Sequence, residues 1–430
     1  MVIVGGGFTG LWSAIFLAQK QPQLGITVLE QDICGGGPSG RNGGFASGWW
    51  DELHGLITLY GQEGAVRSAR EISRSIVDIG RFCEEHGIDA WFQQAGYMYA
   101  ATSARQEEAC DEAVHLAAEV GAPDELRRLT NAEVRARCDS PAFRSGAFMK
   151  DGAQVQPAFL ARGLRRVAME LGVTIHEGTT VRRLEPSPAA VTDHGTVRAK
   201  HAILAVNAWA TAWPRLARRV AAWSSYIVLT EPAPEKLKEV NWTGGELITD
   251  LRNSVRYFRT TRDGRIAFGG GGGRASARLD DSFTHDSHAV RQAAEGFRRF
   301  FPTWSEVPLV DAWGGPIDVS PTHLPTFGTL DAGNVSYALG FTGNGVAPSH
   351  LAGRVLADLA TGTDSDLVRL PMVNPKARLF PPEPFRSLGA AIVRQAIISF
   401  DTAEEQGRRP NSLASAVARL PRKLGYLLGP

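Results

Sequence analysis

The sequence is poor in cysteine, in long apolar runs and in net charge. Its four cysteines, at 34, 83, 110 and 138, lie far apart, with no C-x-x-C pair and no neighbouring histidine. That spacing excludes a disulfide framework or a zinc site and predicts free thiols in a reducing compartment, so the protein is expected to be cytoplasmic and metal-free. No apolar stretch reaches the roughly 18 residues a membrane helix requires. Lys plus Arg number 46 against 45 Asp plus Glu, a net charge of +1, so no field favours nucleic acid. Met1 runs directly into Val2-Ile3-Val4 and glycine, which predicts no signal peptide before it and a clipped first strand. Either the chain starts late or upstream residues are missing from it. No internal repeat is evident.

Glycine, by contrast, is abundant. The 430 residues include 47 glycines, where average usage gives about 30. With 43% hydrophobic and 21% charged residues the chain is neither disordered nor collagen-like, and its length predicts two or three domains. The surplus is clustered, at 5–10, 35–48, 269–273, 314–315 and 340–345. Clustered glycine marks backbone that turns tightly or lies against something.

Residues 1–30 read strand, glycine turn, helix (8–20), strand (26–29): a βαβ start, which requires a parallel sheet. Helical patterns follow at 62–87, 104–120, 157–171, 288–300 and 346–360. Strand patterns lie at 91–100, 173–175, 181–184 and 197–206, and the block 220–320 reads as an antiparallel sheet with inserted helices. The expected fold class is α/β plus α+β, a Rossmann-type FAD-binding domain interleaved with an antiparallel substrate domain. The expected boundaries are 1–90, 145–218 and 320–378 for the first, and 91–144 and 219–319 for the second. Phe380-Pro-Pro-Glu-Pro384 separates a helical extension, 379–430, with helices at about 385–407 and 411–427. Its basic residues (Arg386, Arg394, Arg408, Arg409, Arg419, Arg422, Lys423) read as a solvated face packing on the body, with an anionic partner or membrane surface as the alternative.

Gly5-Gly6-Gly7-Phe8-Thr9-Gly10 follows an apolar strand and opens a helix, and Glu30 ends the next strand. Gly5 permits the tight turn, Gly7 lets a pyrophosphate approach the backbone, and Gly10 lets helix and strand pack closely. The helix N-terminus offers Phe8 and Thr9 N–H groups to the phosphates. Glu30 would bind the adenine ribose, which disfavours a 2′-phosphate and hence NADP. The second cluster, Gly35 to Phe45, separates FAD from NAD: a flavin needs backbone passing close along its phosphates and ring edge. Ser39, Arg41 and Asn42 there supply donors, and Gly43 and Gly44 the close approach. Gly343 and Gly345 precede a helix starting at Val346, whose N–H groups would face the flavin N1–C2=O edge and favour its reduced form. Gly269–Gly273 reads as a hairpin turn.

Together these segments resemble the FAD-dependent amine oxidoreductases of the D-amino-acid oxidase superfamily, nearest the γ-glutamylputrescine oxidase and sarcosine oxidase branch. The residues that carry the resemblance are Gly5–Gly10 with Glu30, Ser39-Gly40-Arg41-Asn42-Gly43-Gly44, Val155-Gln156-Pro157 and Leu204-Ala205-Val206-Asn207-Ala208-Trp209. Trp313 to Asp318, Leu324 to Gly328 and Gly340 to Ala360 complete it, over about 5–370. The resemblance implies oxidation of a C–N bond, with hydride passing to flavin N5, hydrolysis of the resulting imine, and peroxide where oxygen is the acceptor. It places Val181 against the adenine, Asn207 in the cofactor site, Gly43 and Gly44 along the flavin, and Gly343 to Val346 at its pyrimidine edge. Two departures stand out. No cysteine lies near Trp313–Asp318, so FAD is expected to be non-covalent. The stretch Asp263–Phe268, where sarcosine oxidases place an oxygen-activating lysine, has only Arg265, which leaves the acceptor open.

For the substrate, Arg256 and Tyr257 on a strand, His350 on the last helix and Asn344 before it are the catalytic candidates. Trp49, Trp50 and His54, which follow the flavin loop, are the lining candidates. The expected partners are a small amine or amino acid and oxygen or another acceptor. A D-amino-acid or N-methyl-amino-acid dehydrogenase, and a non-catalytic flavin-binding partner protein, are the alternatives.

Overall fold

The computed structural model describes residues 1–185, 187–270, 273–276, 279–330 and 333–427. Two sheets dominate it. Val2–Val4, fully buried, is central to the first, pairing in parallel with Thr27–Leu29 on one side and Ala202–Leu204 on the other. Thr174–His176 extends one edge in parallel, and the hairpin Thr326–Leu330/Val335–Leu339 extends the other. The three central strands are buried on both faces: helices cover the side of Ile3, Val28 and Ile203, and a small antiparallel sheet over 181–198 with Leu216 and Val220 covers the side of Val2, Val4, Leu29 and Leu204. Phe8–Lys20 packs against Val346–Thr361, and the crossing is close because of Gly353: a Cβ there would lie 2.5 Å from Trp12 Cβ. The chain leaves Val2–Val4 for one neighbour and returns much later to the other, so the strand order reverses at its C-terminal end. In open α/β sheets that is where ligands bind.

The second sheet has nine strands among the described residues and is mainly antiparallel, with one parallel pair, Tyr97–Ala100 on Leu247–Thr249. Its long ribbon, Ala221–Thr230 on Leu309–Val319, is followed by Ile266–Gly270, Arg256–Thr260 and Leu247–Thr249. Alternation gives this sheet two chemically distinct faces. Met98, Val228, Ile248, Phe258 and Phe268 point to one side and pack with Phe297 and Phe300 of the helix Ser287–Phe300. Burying each such ring contributes about 2–3 kcal/mol. The register pairs Thr249 with Tyr99 and Tyr257, and Tyr257 with Gly269, so these residues share the opposite face, with Tyr97 and Arg259. That face looks toward the glycine loop 43–44.

Several local expectations change. The helix expected over 62–87 is Leu53–Glu85; Gly61, at φ 71°, breaks its geometry, but Leu53 and Leu56 are buried before the break and keep the chain helical. The single strand expected at 197–206 is two. Gly195–Arg198 is mostly exposed and belongs to a small antiparallel sheet with Val181–Glu185 and Ala189–Thr192, whereas Ala202–Leu204 is buried in the parallel sheet. Gly269 and Gly270 lie inside the strand Ile266–Gly270 rather than in a turn, while 271 and 272 fall outside the described residues. The helix expected at 411–427 is two short ones, Ser412–Ala418 and Leu420–Lys423.

The C-terminal helix Phe385–Glu405 is tied down chiefly by its carboxylates. Asp401 accepts from Asn253 Nδ2 (2.7 Å) and Ser254 N (2.8 Å), and Glu405 pairs with Arg252 (2.9 Å) and Arg299 (2.7 Å). Two of its arginines are also engaged: Arg386 donates to the carbonyl of Val220 (3.0 Å) and Arg394 to that of Gly273 (2.6 Å). No helix among the described residues is long and apolar enough to cross a membrane. The four cysteines are buried free thiols.

Candidate functional site

The first turn is as tight as its glycines allow. Gly5 sits at φ 106°, and a Cβ there would lie 2.3 Å from the Ala205 carbonyl oxygen. A Cβ on Gly10 would lie 1.9 Å from the Gly5 carbonyl oxygen, and one on Gly7 2.8 Å from Ser39 Oγ. Helix Phe8–Lys20 starts at Gly7 with no side-chain cap, so its end is open to an anion except where Phe8 N donates to Ser39 Oγ (2.9 Å). Glu30 closes the turn, accepting from Gly6 N (2.7 Å) and Asp32 N (3.0 Å), and burial raises its pKa.

Beside this turn lies a cavity of about 1,260 Å³ at the strand-order reversal. It gathers Gly5, Gly7, Phe8, Thr9, Glu30, Ser39, Arg41, Asn42, Val181, Asn207, Gly343, Gly345 and Val346 from six separate segments. Gly10 lies just behind it, spent on helix–turn packing. Trp209, Trp213 and Ile317, which sequence reasoning did not single out as site residues, also line it.

The second glycine loop is self-organised. Arg41 Nε donates to the Gly36 carbonyl (2.8 Å), Asn42 Nδ2 to that of Ser39 (2.8 Å), and Gly44 N to Asn42 Oδ1 (2.7 Å). The Asn42 amide therefore staples the loop, a role different from the expected ligand donor. Gly44 sits at φ 79°, where a Cβ would lie 2.1 Å from the Val155 carbonyl oxygen. Arg259, 6% exposed, donates to the Gly43 and Thr260 carbonyls, and burial pulls its pKa down to about 10.

The third loop hangs on a residue missed at the sequence level. Asp318 is fully buried and accepts from Gly340 N (2.5 Å), Phe341 N (3.1 Å) and Asn207 Nδ2 (2.8 Å). It thus joins the loop after Leu339 to the loop after Leu204, and burial pushes its pKa up to about 7. Trp313 Nε1 donates to the Arg41 carbonyl (2.8 Å), so the Trp313–Asp318 segment clamps two glycine loops at once. Asn344 Oδ1 accepts from Ser47 Oγ (2.9 Å), which places it at the junction of the second and third loops. The helix Val346–Thr361 begins at Gly345 without a side-chain cap.

The substrate candidates divide. Tyr257 is well placed: its ring fills the space beside Gly43, where a Cβ would meet it at 2.9 Å, and its hydroxyl bonds Ser225 Oγ (2.8 Å). Arg256, one position earlier, points to the other face. It pairs with Glu405 and lies over the Phe300 ring at 5.3 Å, holding the C-terminal helix instead of a substrate. Arg259, two positions after Tyr257, is the arginine that reaches the loop; equal parity on the strand was the available signal. Trp49 and Trp50 are each 1% exposed and belong to the core, with Trp50 Nε1 donating to Ser73 Oγ (3.1 Å). His54 is exposed on the helix Leu53–Glu85. Arg265, on the stretch compared with the oxidase lysine, is held by Asp263 (2.7 Å) and the Thr230 carbonyl (3.1 Å).

His350 is corrected outright. It is 3% exposed, wedged edge-on between Trp12 (4.8 Å) and Phe16 (5.2 Å), and does not border the cavity. Burial pulls its pKa down to about 3. The folded chain therefore binds this proton less readily than the unfolded chain, at roughly 6.5, and stability is lost as pH falls through that value. From about pH 7 to about pH 5 the loss is ~2 kcal/mol. Thermal midpoints across this range should decline for the native protein and decline less for His350→Leu, which should still turn over.

The fold and the cavity define a dinucleotide-binding protein. An open helix terminus over a glycine turn, an acid at the end of the second strand and a second glycine cradle fit a cofactor longer than a nicotinamide dinucleotide. The model of the family of FAD dependent oxidoreductases (DAO) matches residues 1–359, and the chain belongs to that family. It is an FAD-dependent oxidoreductase. It is 30% identical over 381 residues to a probable oxidoreductase, OrdL, of Rhizobium meliloti (strain 1021), covering 85% of this chain and 84% of that one. It is 28% identical over 369 residues to the gamma-glutamylputrescine oxidoreductase of Escherichia coli (strain K12), covering 84% and 83%. Among solved structures, glycine oxidase from Geobacillus kaustophilus superposes with a TM-score of 0.72 at 19% identity, covering 87% of this chain and 98% of that one. L-proline dehydrogenase from P. horikoshii superposes at 0.70 and 20% identity, covering 86% and 95%.

Proposed function

We propose that the protein oxidises a C–N bond of a small amine or amino acid to an imine, which water then hydrolyses. FAD held by the glycine turn, Glu30 and the loop Ser39–Gly44 would supply the hydride acceptor, with oxygen or another acceptor taking up the electrons. The observation that carries the reading is the sheet face bearing Tyr97, Tyr99, Tyr257 and Arg259, set against Gly43 and Gly44 beside the cavity. In this reading the parallel-sheet segments hold the cofactor and the antiparallel sheet the substrate. The names of similar proteins, which specify a glutamylated diamine, glycine and L-proline, support it.

The chain's own residues have definite tasks. The open N-terminus of Phe8–Lys20 takes the pyrophosphate and Glu30 the ribose. Arg259 fixes the Gly43 carbonyl, so that Gly43 and Gly44 would be held in place along the flavin. The open end of Val346–Thr361, with Asn344 held by Ser47, directs N–H groups and positive potential toward the ring edge where negative charge collects. Tyr257 and Phe45, in edge contact at 5.6 Å, wall the reacting carbon from water. Alignment is the main requirement, because hydride transfer from an amine needs little acid–base assistance.

Anaerobic mixing of the holoenzyme with putrescine derivatives, sarcosine and D-amino acids should bleach the flavin with at least one of them. Bleaching by none would instead favour a flavin-binding protein without catalysis. Peroxide yield on admitting air separates an oxidase from a dehydrogenase.

A further inference from the structure

We infer that the C-terminal extension, 379–430, is a docking surface for an anionic lipid bilayer, lying along the headgroups without crossing the hydrocarbon core. The inference stands apart from the C–N oxidation proposed above, because the family match ends at residue 359, before the extension begins.

The extension is a helical hairpin fixed to the body. Ser412–Ala418 packs back against Phe385–Glu405, and Tyr426 stacks on Phe380 (5.6 Å) where the extension starts. Its four carboxylates are all engaged. Glu383 is held by Arg386 (2.6 Å), Asp401 by Asn253 and Ser254, Glu404 by Arg105 (3.3 Å), and Glu405 by Arg252 and Arg299. Packing thus uses up the negative charge of the extension and leaves its outer side positive. Arg408, Arg409, Arg419, Arg422 and Lys423 are exposed, and no Asp or Glu lies between 406 and 430. In a chain whose net charge is only +1, this is a local concentration of one sign.

The same hairpin is apolar as well. Of the thirteen large apolar side chains exposed among the described residues, seven lie between 379 and 424. Phe385 (67% exposed), Leu388 and Ile392 recur at i, i+3 and i+7, one stripe on the first turns of their helix. Leu413 (72% exposed), Leu420 and Leu424 recur at i, i+7 and i+11 through the two short helices that follow. A solvated helix face needs neither row, and a concentration of exposed apolar groups marks an interaction surface. A nucleic acid would answer the cations and leave the leucines in water. A second copy bound through the same face would set the cations against one another. An anionic bilayer satisfies both: the apolar side chains reach the acyl boundary, and each cation near the headgroups strengthens binding about fivefold.

The test sediments full-length, FAD-loaded protein with vesicles of phosphatidylcholine alone and with vesicles of phosphatidylcholine and phosphatidylglycerol in equal parts. Binding should require the phosphatidylglycerol and weaken as salt is added. The triple variant Arg419→Gln/Arg422→Gln/Lys423→Gln should bind about 100-fold more weakly. Leu413→Ser/Leu424→Ser should lose about 10-fold or more. Both variants should keep their flavin content and thermal midpoint, because all five side chains are exposed. No binding to the phosphatidylglycerol vesicles at low salt, equal binding to the two kinds of vesicle, or binding that ignores either set of substitutions overturns the docking surface. Absence of vesicle binding together with a dimer that Leu413→Ser/Leu424→Ser abolishes overturns it too, and assigns the face to a second copy of the chain.

Discussion

Gly10→Ala is expected to yield a folded protein without flavin. The added Cβ would lie 1.9 Å from the Gly5 carbonyl oxygen and 3.4 Å from Ile3 Cγ2. The first contact is far inside van der Waals distance and is made with backbone, so no side chain can rotate to relieve it. Either the helix Phe8–Lys20 slides back or the Gly5–Gly7 turn opens. Both move the helix N-terminal N–H groups away from the place expected for the pyrophosphate, so FAD retention should fall by about 10-fold or more. The yellow absorbance of the purified protein, and its recovery on titration with FAD, measure the loss. Gly25→Ala is the matched control, because a Cβ there meets nothing within 4 Å. If both variants retain flavin equally, the turn is not the phosphate site.

Asp318→Ala is expected to be the most damaging single change outside that turn. The carboxylate serves three donors (Gly340 N, Phe341 N and Asn207 Nδ2) in a place without solvent. Its removal strands all three, at about 3–5 kcal/mol in total. The loop 340–345 and the loop after Leu204 then lose their common anchor, and both line the cavity. A lower thermal midpoint together with weaker FAD retention is the expected pair of results. Asp318→Asn should fall between, since its oxygen can still accept from Phe341 while its amide opposes Gly340 N. A lower midpoint with unchanged FAD affinity would separate the anchor from the cofactor site.

Much of the dinucleotide half was legible because its logic is local. Gly5 to Glu30 span one βαβ unit, in which steric contact and helix-end polarity act between residues close in sequence. Ser39 to Gly44 were legible as a loop, but the use of the Asn42 amide was not, since an amide can face either its own loop or a ligand. The substrate half was less legible. Arg256 and Tyr257 were both proposed, yet adjacent strand residues must face opposite ways, so only one of them could reach the site. Which one depends on the packing of Phe258 and Phe268 under the helix Ser287–Phe300. Trp49 and Trp50 follow the glycine loop closely in sequence, but Ser73 and the surrounding core draw them inward.

The sequence alone placed a glycine turn after the first strand, an acid at position 30 and two further glycine loops, and from these the expectation of a dinucleotide there. Those statements rest on backbone geometry over a few residues. Only the tertiary structure decided which side chains hold the site's loops in place. Arg259 reaches Gly43, Asn344 reaches Ser47, Asp318 reaches Gly340, and Arg256 is taken away by Glu405. Each of these contacts joins segments from different elements, and three of the four cross more than a hundred residues. They exist because two sheets and a C-terminal helix bury their apolar faces together, and that packing, which no local pattern records, selects the polar groups that tie the loops around the cavity.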